Sequence, residues 1–172
     1  MLKHHIHIIK MGGTIEFIDP AYDNINRQLM RLDSSVDSYL KNLIKPHFTY
    51  STETVCEKDS REITPDDLER LVKIIESIPH DNILITHGTF TMRDTAEFLE
   101  KRFSSEKENK KKIILTGSMI PIIGFSASDA PFNLGYSIAS FDSISPGIYL
   151  CVNGGIFKSN EVEKNIGLLR FE

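Results

Sequence analysis

An α/β fold, a mostly parallel sheet between two layers of helices, is predicted by three observations. Short apolar runs alternate with amphipathic stretches along the chain, the pattern of buried parallel strands and covering helices. Gly, Ser and Thr gather immediately after the apolar runs, as at the carboxyl edge of such a sheet, where ligands meet helix N-termini. The chain has 172 residues, 40% hydrophobic and 26% charged, which suits a single domain over residues 1–172 that buries roughly 70% of its unfolded surface.

The first strand runs from His4 to Lys10, where Ile6, Ile8 and Ile9 supply β-branched bulk, and leads into Met11-Gly12-Gly13-Thr14-Ile15. Val36, Tyr39, Leu40 and Leu43 share one face of a helix expected from Ser35 to Lys45, closed by Pro46. Phe48 to Cys56 alternates as a second strand. Thr64-Pro65-Asp66-Asp67 then combines an N-cap, a proline at the first helical position and acids in the first turn. That helix continues through Leu68, Leu71, Val72 and Ile75 and stops before Pro79. Asn82 to Thr86 is a short buried strand, and Met92, Thr95, Phe98 and Leu99 mark the inner face of a helix ending near Phe103. Ile113-Ile114-Leu115 forms the fourth strand, Ser128-Asp129-Ala130-Pro131 starts a helix, and Gly147 to Val152 is the last strand.

Composition excludes several classes of function. A formal charge of −4 gives no basic excess, and the basic run Lys107 to Lys112 is interrupted by acids, so no nucleic-acid partner is expected. The longest apolar runs are far below the roughly 18 residues of a membrane span, and the first residues lack a signal-peptide core. No membrane partner and a cytoplasmic address are therefore expected. Cys56 and Cys151 lack CxxC spacing, which points to reduced thiols with no metal and no cofactor.

The hydroxyl-rich turns carry the candidate chemistry. Gly12-Gly13-Thr14 lacks both GxGxxG spacing and a phosphate-binding lysine, so it is not read as a nucleotide loop. Two readings remain: a tight turn capped by Thr14, or a close backbone approach at Gly13 with Thr14 offering its hydroxyl as a nucleophile. Thr86-His87-Gly88-Thr89-Phe90-Thr91 gathers hydroxyls and an imidazole at a strand-to-helix junction. Helix capping and ligand binding both account for it, and His87 reads more as a packed, hydrogen-bonded residue than as a general base.

In order and spacing, Met11-Gly12-Gly13-Thr14-Ile15, Lys58-Asp59-Ser60-Arg61, Ile85 to Met92, Leu115-Thr116-Gly117-Ser118-Met119 and Ser128 to Leu134 resemble the amino-terminal domain of bacterial-type L-asparaginases. Asn153 to Phe157 and Arg170-Phe171-Glu172 resemble the ends of that family's stand-alone, single-domain members. The resemblance implies a flavodoxin-like three-layer domain and an amidohydrolase that converts asparagine to aspartate and ammonia. It further implies that Thr14 is the nucleophile, that Thr89 is the second essential threonine, and that Lys164 partners Thr89. Ser60 would hold a substrate carboxylate, with Gly13 and Gly88 beside it; by itself Asp59-Ser60 is also a common local turn. On sequence alone Lys164, within Glu161-Val162-Glu163-Lys164, reads rather as a surface residue.

Four departures stand out. The family's second threonine is normally followed by an aspartate, and this chain has Phe90, which can neither bind an ammonium group as a carboxylate does nor form an ion pair with Lys164. Phe90 lines a pocket for a different amide, or it marks a module that binds a small amino acid or anion without turnover. Arg61 replaces a small polar residue, where it either pairs with a carboxylate or fills space. Tyr22 is the local candidate for a tyrosine assisting Thr14, at altered spacing. The carboxyl-terminal domain that closes the site in two-domain members does not fit within 172 residues, and a homodimer is expected in its place.

Overall fold

The computed structural model describes residues 5–18, 35–103 and 110–172. Six strands, β1 (Ile6–Gly12), β2 (Tyr50–Lys58), β3 (Asn82–Thr86), β4 (Lys112–Thr116), β5 (Gly147–Val152) and β6 (Gly155–Phe157), form one sheet in the order β2-β1-β3-β4-β5-β6. The first five are parallel and β6 returns antiparallel on β5. From β1 the chain crosses to β2 on one side and then to β3 on the other, which opens a crevice at the carboxyl ends of β1 and β3.

Two apolar clusters make this a three-layer fold. On one face Ile9, Ile83, Ile85, Ile113 and Leu115 pack against α2 (Pro65–Ser77) and α3 (Met92–Phe103). On the other, Ile8, Leu84 and Ile114 meet Val36 and Leu40 of α1 (Ser35–Ser38) and its continuation, and Leu134 and Ile138 of α4 (Ala130–Ser140). Strand residues alternate between the two clusters as the period of two requires. Each fully buried aliphatic side chain contributes about 1.5–3 kcal/mol.

Thr64 caps α2 as expected: its side chain accepts from the Asp67 N–H while the Asp67 carboxylate accepts from the Thr64 N–H. Two expectations need correction. Beyond Ser38 the first helix continues as a π-helix, Tyr39–Ile44, closed by Lys45 N–H on Leu40 O. The wider turn rotates Leu43 off the buried face, and it is exposed. Asp129 does not cap α4 through its side chain; it accepts instead from the Met119 and Ile120 amides, and the Ala130 N–H goes to Ser128 Oγ. The hairpin β7 (Lys164–Asn165) and β8 (Arg170–Phe171) has strands too short to register as alternation. Among the described residues no helix is long and apolar enough to cross a membrane.

Candidate active site

The crevice is built first from backbone. Gly13 has φ 79° and its N–H donates to Lys58 O at 3.0 Å. A Cβ at Gly13 would overlap the backbone of Gly88, and one at Gly88 would stand 2.7 Å from Ser60 Cβ and Oγ. Gly13, Gly88 and Ser60, which come from three separate turns, are thereby in direct contact. Thr14 follows Gly13 and opens a 3-10 turn, Thr14–Glu16. Glu16 anchors that turn by accepting from the buried Thr86 hydroxyl at 2.6 Å and from the Val36 N–H at 3.3 Å.

His87 is wholly buried; its Nδ1 lies 2.7 Å from Gly88 O and its Nε2 lies 2.9 Å from Thr95 Oγ1. A carbonyl only accepts, so Nδ1 carries the proton and Nε2 accepts from Thr95. Burial drives its pKa down to about 4, against a weaker opposing effect of the Gly88 hydrogen bond. The imidazole is neutral and committed on both nitrogens, which bears out its reading as a packed residue.

Ser60 is 3% exposed. Its carbonyl accepts from Thr91 Oγ1 at 2.7 Å, and its hydroxyl accepts from the Thr91 N–H at 3.4 Å. Asp59 caps this turn and takes Arg61 through Nε and Nη2, both at 2.9 Å. The hydrogen bonds from Arg61 hold the Asp59 carboxyl at about 2. Of the two readings of Arg61, pairing with a carboxylate is therefore realised within the chain.

Lys164 reaches the crevice from β7: its Nζ donates to Thr89 Oγ1 at 2.7 Å. It also stands 3.7 Å from the centroid of the Phe90 ring, and the Arg61 guanidinium lies 4.5 Å from the same centroid. Burial lowers the Lys164 pKa, the Arg61 charge lowers it further, and Asp59 opposes both. Phe90 is 50% exposed and borders a cavity of about 260 Å³ shared with Thr89, Asp94, Lys164, Ile166 and Phe171. A larger cavity of about 620 Å³ opens at the opposite, amino edge of the sheet, among Glu100, Lys111, Gly147 and Lys158. It shares no lining residue with the cavity beside Phe90.

Residues 5–167 match the family model described as Asparaginase, N-terminal. The chain belongs to the asparaginase family. It is 34% identical to the glutaminase-asparaginase of Acinetobacter glutaminasificans, over 96% of this chain and 51% of that protein. It is 32% identical to the L-asparaginase of Thermococcus kodakarensis, over 70% of this chain and 37% of that one. Among solved structures, L-asparaginase I of Vibrio cholerae superposes with a TM-score of 0.79 at 25% identity, covering 98% of this chain and 51% of its own. The chain thus spans about half the length of the relatives it matches.

Of the sequence-predicted asparaginase residues, the fold brings Gly13, Ser60 and Gly88 into contact, joins Lys164 to Thr89, and sets Lys164 and Arg61 over the Phe90 ring. Tyr22 lies outside the described residues. Sequence reasoning passed over Glu16, although its place two residues beyond Thr14 was a signal, and it gave Asp59 no role beyond its turn. Among the described residues no group of His, Cys, Asp and Glu is arranged to hold a metal ion.

Proposed function

We propose that this chain is an L-asparaginase-like amidohydrolase that cleaves a side-chain amide through Thr14, without metal or cofactor. The observation that carries the reading is the 2.7 Å hydrogen bond between Lys164 and Thr89 at the mouth of a crevice whose floor is Gly13, Ser60 and Gly88. Thr14 Oγ attacks the amide carbon, and backbone N–H groups around the glycine turns stabilise the oxyanion. The nitrogen takes the hydroxyl proton and departs as ammonia, leaving an ester on Thr14. Water held by Thr89 then attacks the ester; Lys164, an ammonium at rest and reactive in the fraction that has lost its proton, accepts a proton through the Thr89 hydroxyl, and the acid and free Thr14 are released. Ser60 and the neighbouring glycine backbone receive the substrate carboxylate, and Tyr22 assists Thr14.

Ammonia release from asparagine, glutamine and simple amides tests this, with asparagine first. Thr14→Ala and Thr89→Val are each expected to lower the rate by about 100-fold or more. Activity that survives Thr14→Ala removes Thr14 as the nucleophile. The half-exposed Phe90 beside Lys164 favours a second reading, a catalytically impaired module binding a small amino acid or anion. Saturable aspartate binding with no ammonia from any amide identifies that case.

The working form proposed is a cytoplasmic homodimer of single domains. Support comes from α4, where Phe132, Gly135, Tyr136 and Ala139 are exposed at i, i+3, i+4 and i+7 and the helix carries no charged residue. An uncharged stripe can face its own copy across a two-fold axis without like-charge repulsion. Light scattering on wild type and Tyr136→Lys is expected to give a dimer and a monomer, respectively.

A further inference from the structure

Phe90 does more than leave a carboxylate out of the site; it gathers charge. Lys164 Nζ and the Arg61 guanidinium share its ring, at 3.7 and 4.5 Å from the centroid. Both cations therefore stand at the rim of the crevice that ends at Thr89.

Two of the three described carboxylates nearby are already engaged. Asp59 gives both oxygens to Arg61, and Glu163 accepts from Arg93 Nη1 at 2.7 Å. Asp94 is on the wall of the outer cavity, which it shares with the Arg93 cation. A ligand ammonium arriving over Phe90 would meet two like charges and a π face already occupied by them. A ligand carboxylate would meet two cations, with Arg61 Nη1 carrying no hydrogen bond among the described residues and Nζ having donors to spare beyond Thr89. The ring itself offers contact area to methylene groups.

We infer that the ligand of this site is a carboxylate-bearing amide without an ammonium group, the monoamide of a short dicarboxylic acid, its carboxylate drawn between Lys164 and Arg61, away from the Ser60 turn that would receive the carboxylate of asparagine, and its methylenes against Phe90. This rests on the amidohydrolase reading for turnover but not for binding, and the two are separable. Succinate and L-aspartate differ by one ammonium group and contain no amide to cleave, so their binding reports ligand class alone. Calorimetric titration of the full chain is expected to show succinate binding about tenfold or more tightly than L-aspartate. Phe90→Asp is expected to reverse the order, and Lys164→Met to weaken succinate about tenfold.

In parallel, ammonia release is expected to be about tenfold faster in kcat/KM from succinamate than from L-asparagine. Equal or tighter binding of L-aspartate by the wild type overturns the inference, as does failure of succinate to saturate. Because the wild-type comparison decides it, a Phe90→Asp variant that does not fold changes nothing. Preferred binding of succinate with no ammonia from any amide leaves the ligand class standing and removes the hydrolase reading instead.

Discussion

At the floor of the crevice, Gly13 lies on the backbone of Gly88 and Gly88 lies on Ser60, with no room for a methyl group. At the rim, a residue or two further along the same turns, the contacts that join Thr89 to Lys164, and Phe90 to Lys164 and Arg61, run between side chains, and Phe90 and Arg61 are largely exposed. The floor is fixed by the sheet that carries it, so it tolerates little; the rim is held by contacts that can be exchanged one at a time. A family scaffold can thus keep its attacking residue in place while its ligand preference drifts. Substitutions on the two sides should separate accordingly.

The largest effect is expected on the floor. Gly13→Ala adds a Cβ into Gly88 at a residue with φ 79°, combining the left-handed penalty with overpacking for a loss of about 3 kcal/mol. Urea denaturation measures the stability, and ammonia release should fall with it. Gly88→Ala meets the Ser60 side chain most closely, at 2.7 Å, and the Ser60 backbone nitrogen at 3.1 Å, so its stability loss should be smaller, while its displacement of Ser60 should still weaken ligand binding. Equal tolerance of alanine at Gly13 and at an open position such as Gly135, where a Cβ meets nothing within 4 Å, would remove the distinction between floor and surface.

His87, just beneath that floor, gives the next effect. Its folded pKa is about 4 against 6.5 for the free side chain, so between these values the unfolded chain binds the extra proton. The His87 contribution should therefore be lost as pH drops from about 6.5 toward 4, about 3 kcal/mol for that residue, and His5 and His7, whose pKa values burial also lowers, add to the fall. Asp59 and Asp67, both held at about 2 by hydrogen-bonded cations, lose their contributions at lower pH and do not confuse that window. Urea midpoints between pH 7 and 4.5 test it, and His87→Gln should flatten the slope.

At the rim the readout is the pH profile. If Lys164 must be neutral to take a proton through Thr89, the rate rises with pH through its pKa, which burial and Arg61 hold below 10.5. Phe90→Asp replaces a ring with an anion beside the ammonium, raises that pKa and should move the rising limb to higher pH. A limb that stays put separates Lys164 from the proton transfer.

The floor was also the more legible region. Gly-Thr pairs after apolar runs placed the turns at one sheet edge because parallel topology follows from local pattern, and β3 and β5 fall on their expected residues. Thr64-Pro65 announced its helix because a capping box is a local interaction. What escaped depends on partners distant in sequence. The short β6, β7 and β8 exist only through pairing, and the π-helical turn at Tyr39–Ile44 has no periodic signature strong enough to oppose an α-helical reading. Phe90 was visible as an exception, but its shared contact with Lys164 and Arg61 joins three separate segments and could not be read from any of them.

The smallest expected effect comes from Asp59→Asn, and it probes the rim from the side opposite to Phe90→Asp. The Asp59–Arg61 pair is solvent-exposed, so its loss should change stability by less than about 1 kcal/mol. Its electrostatic consequence is more specific. Asp59 raises the Lys164 pKa while Arg61 lowers it; removing the carboxylate leaves the guanidinium unopposed, lowers the Lys164 pKa further and should move the rising limb of the rate profile to lower pH. Arg61, released from its fork, gains donors for a ligand carboxylate, so succinate should bind more tightly than to wild type, and added salt should erase the gain. Opposite displacements of the limb in Asp59→Asn and Phe90→Asp would show that the two residues act on one ammonium group. Displacements of the same sign would mean that they perturb the rim through its shape.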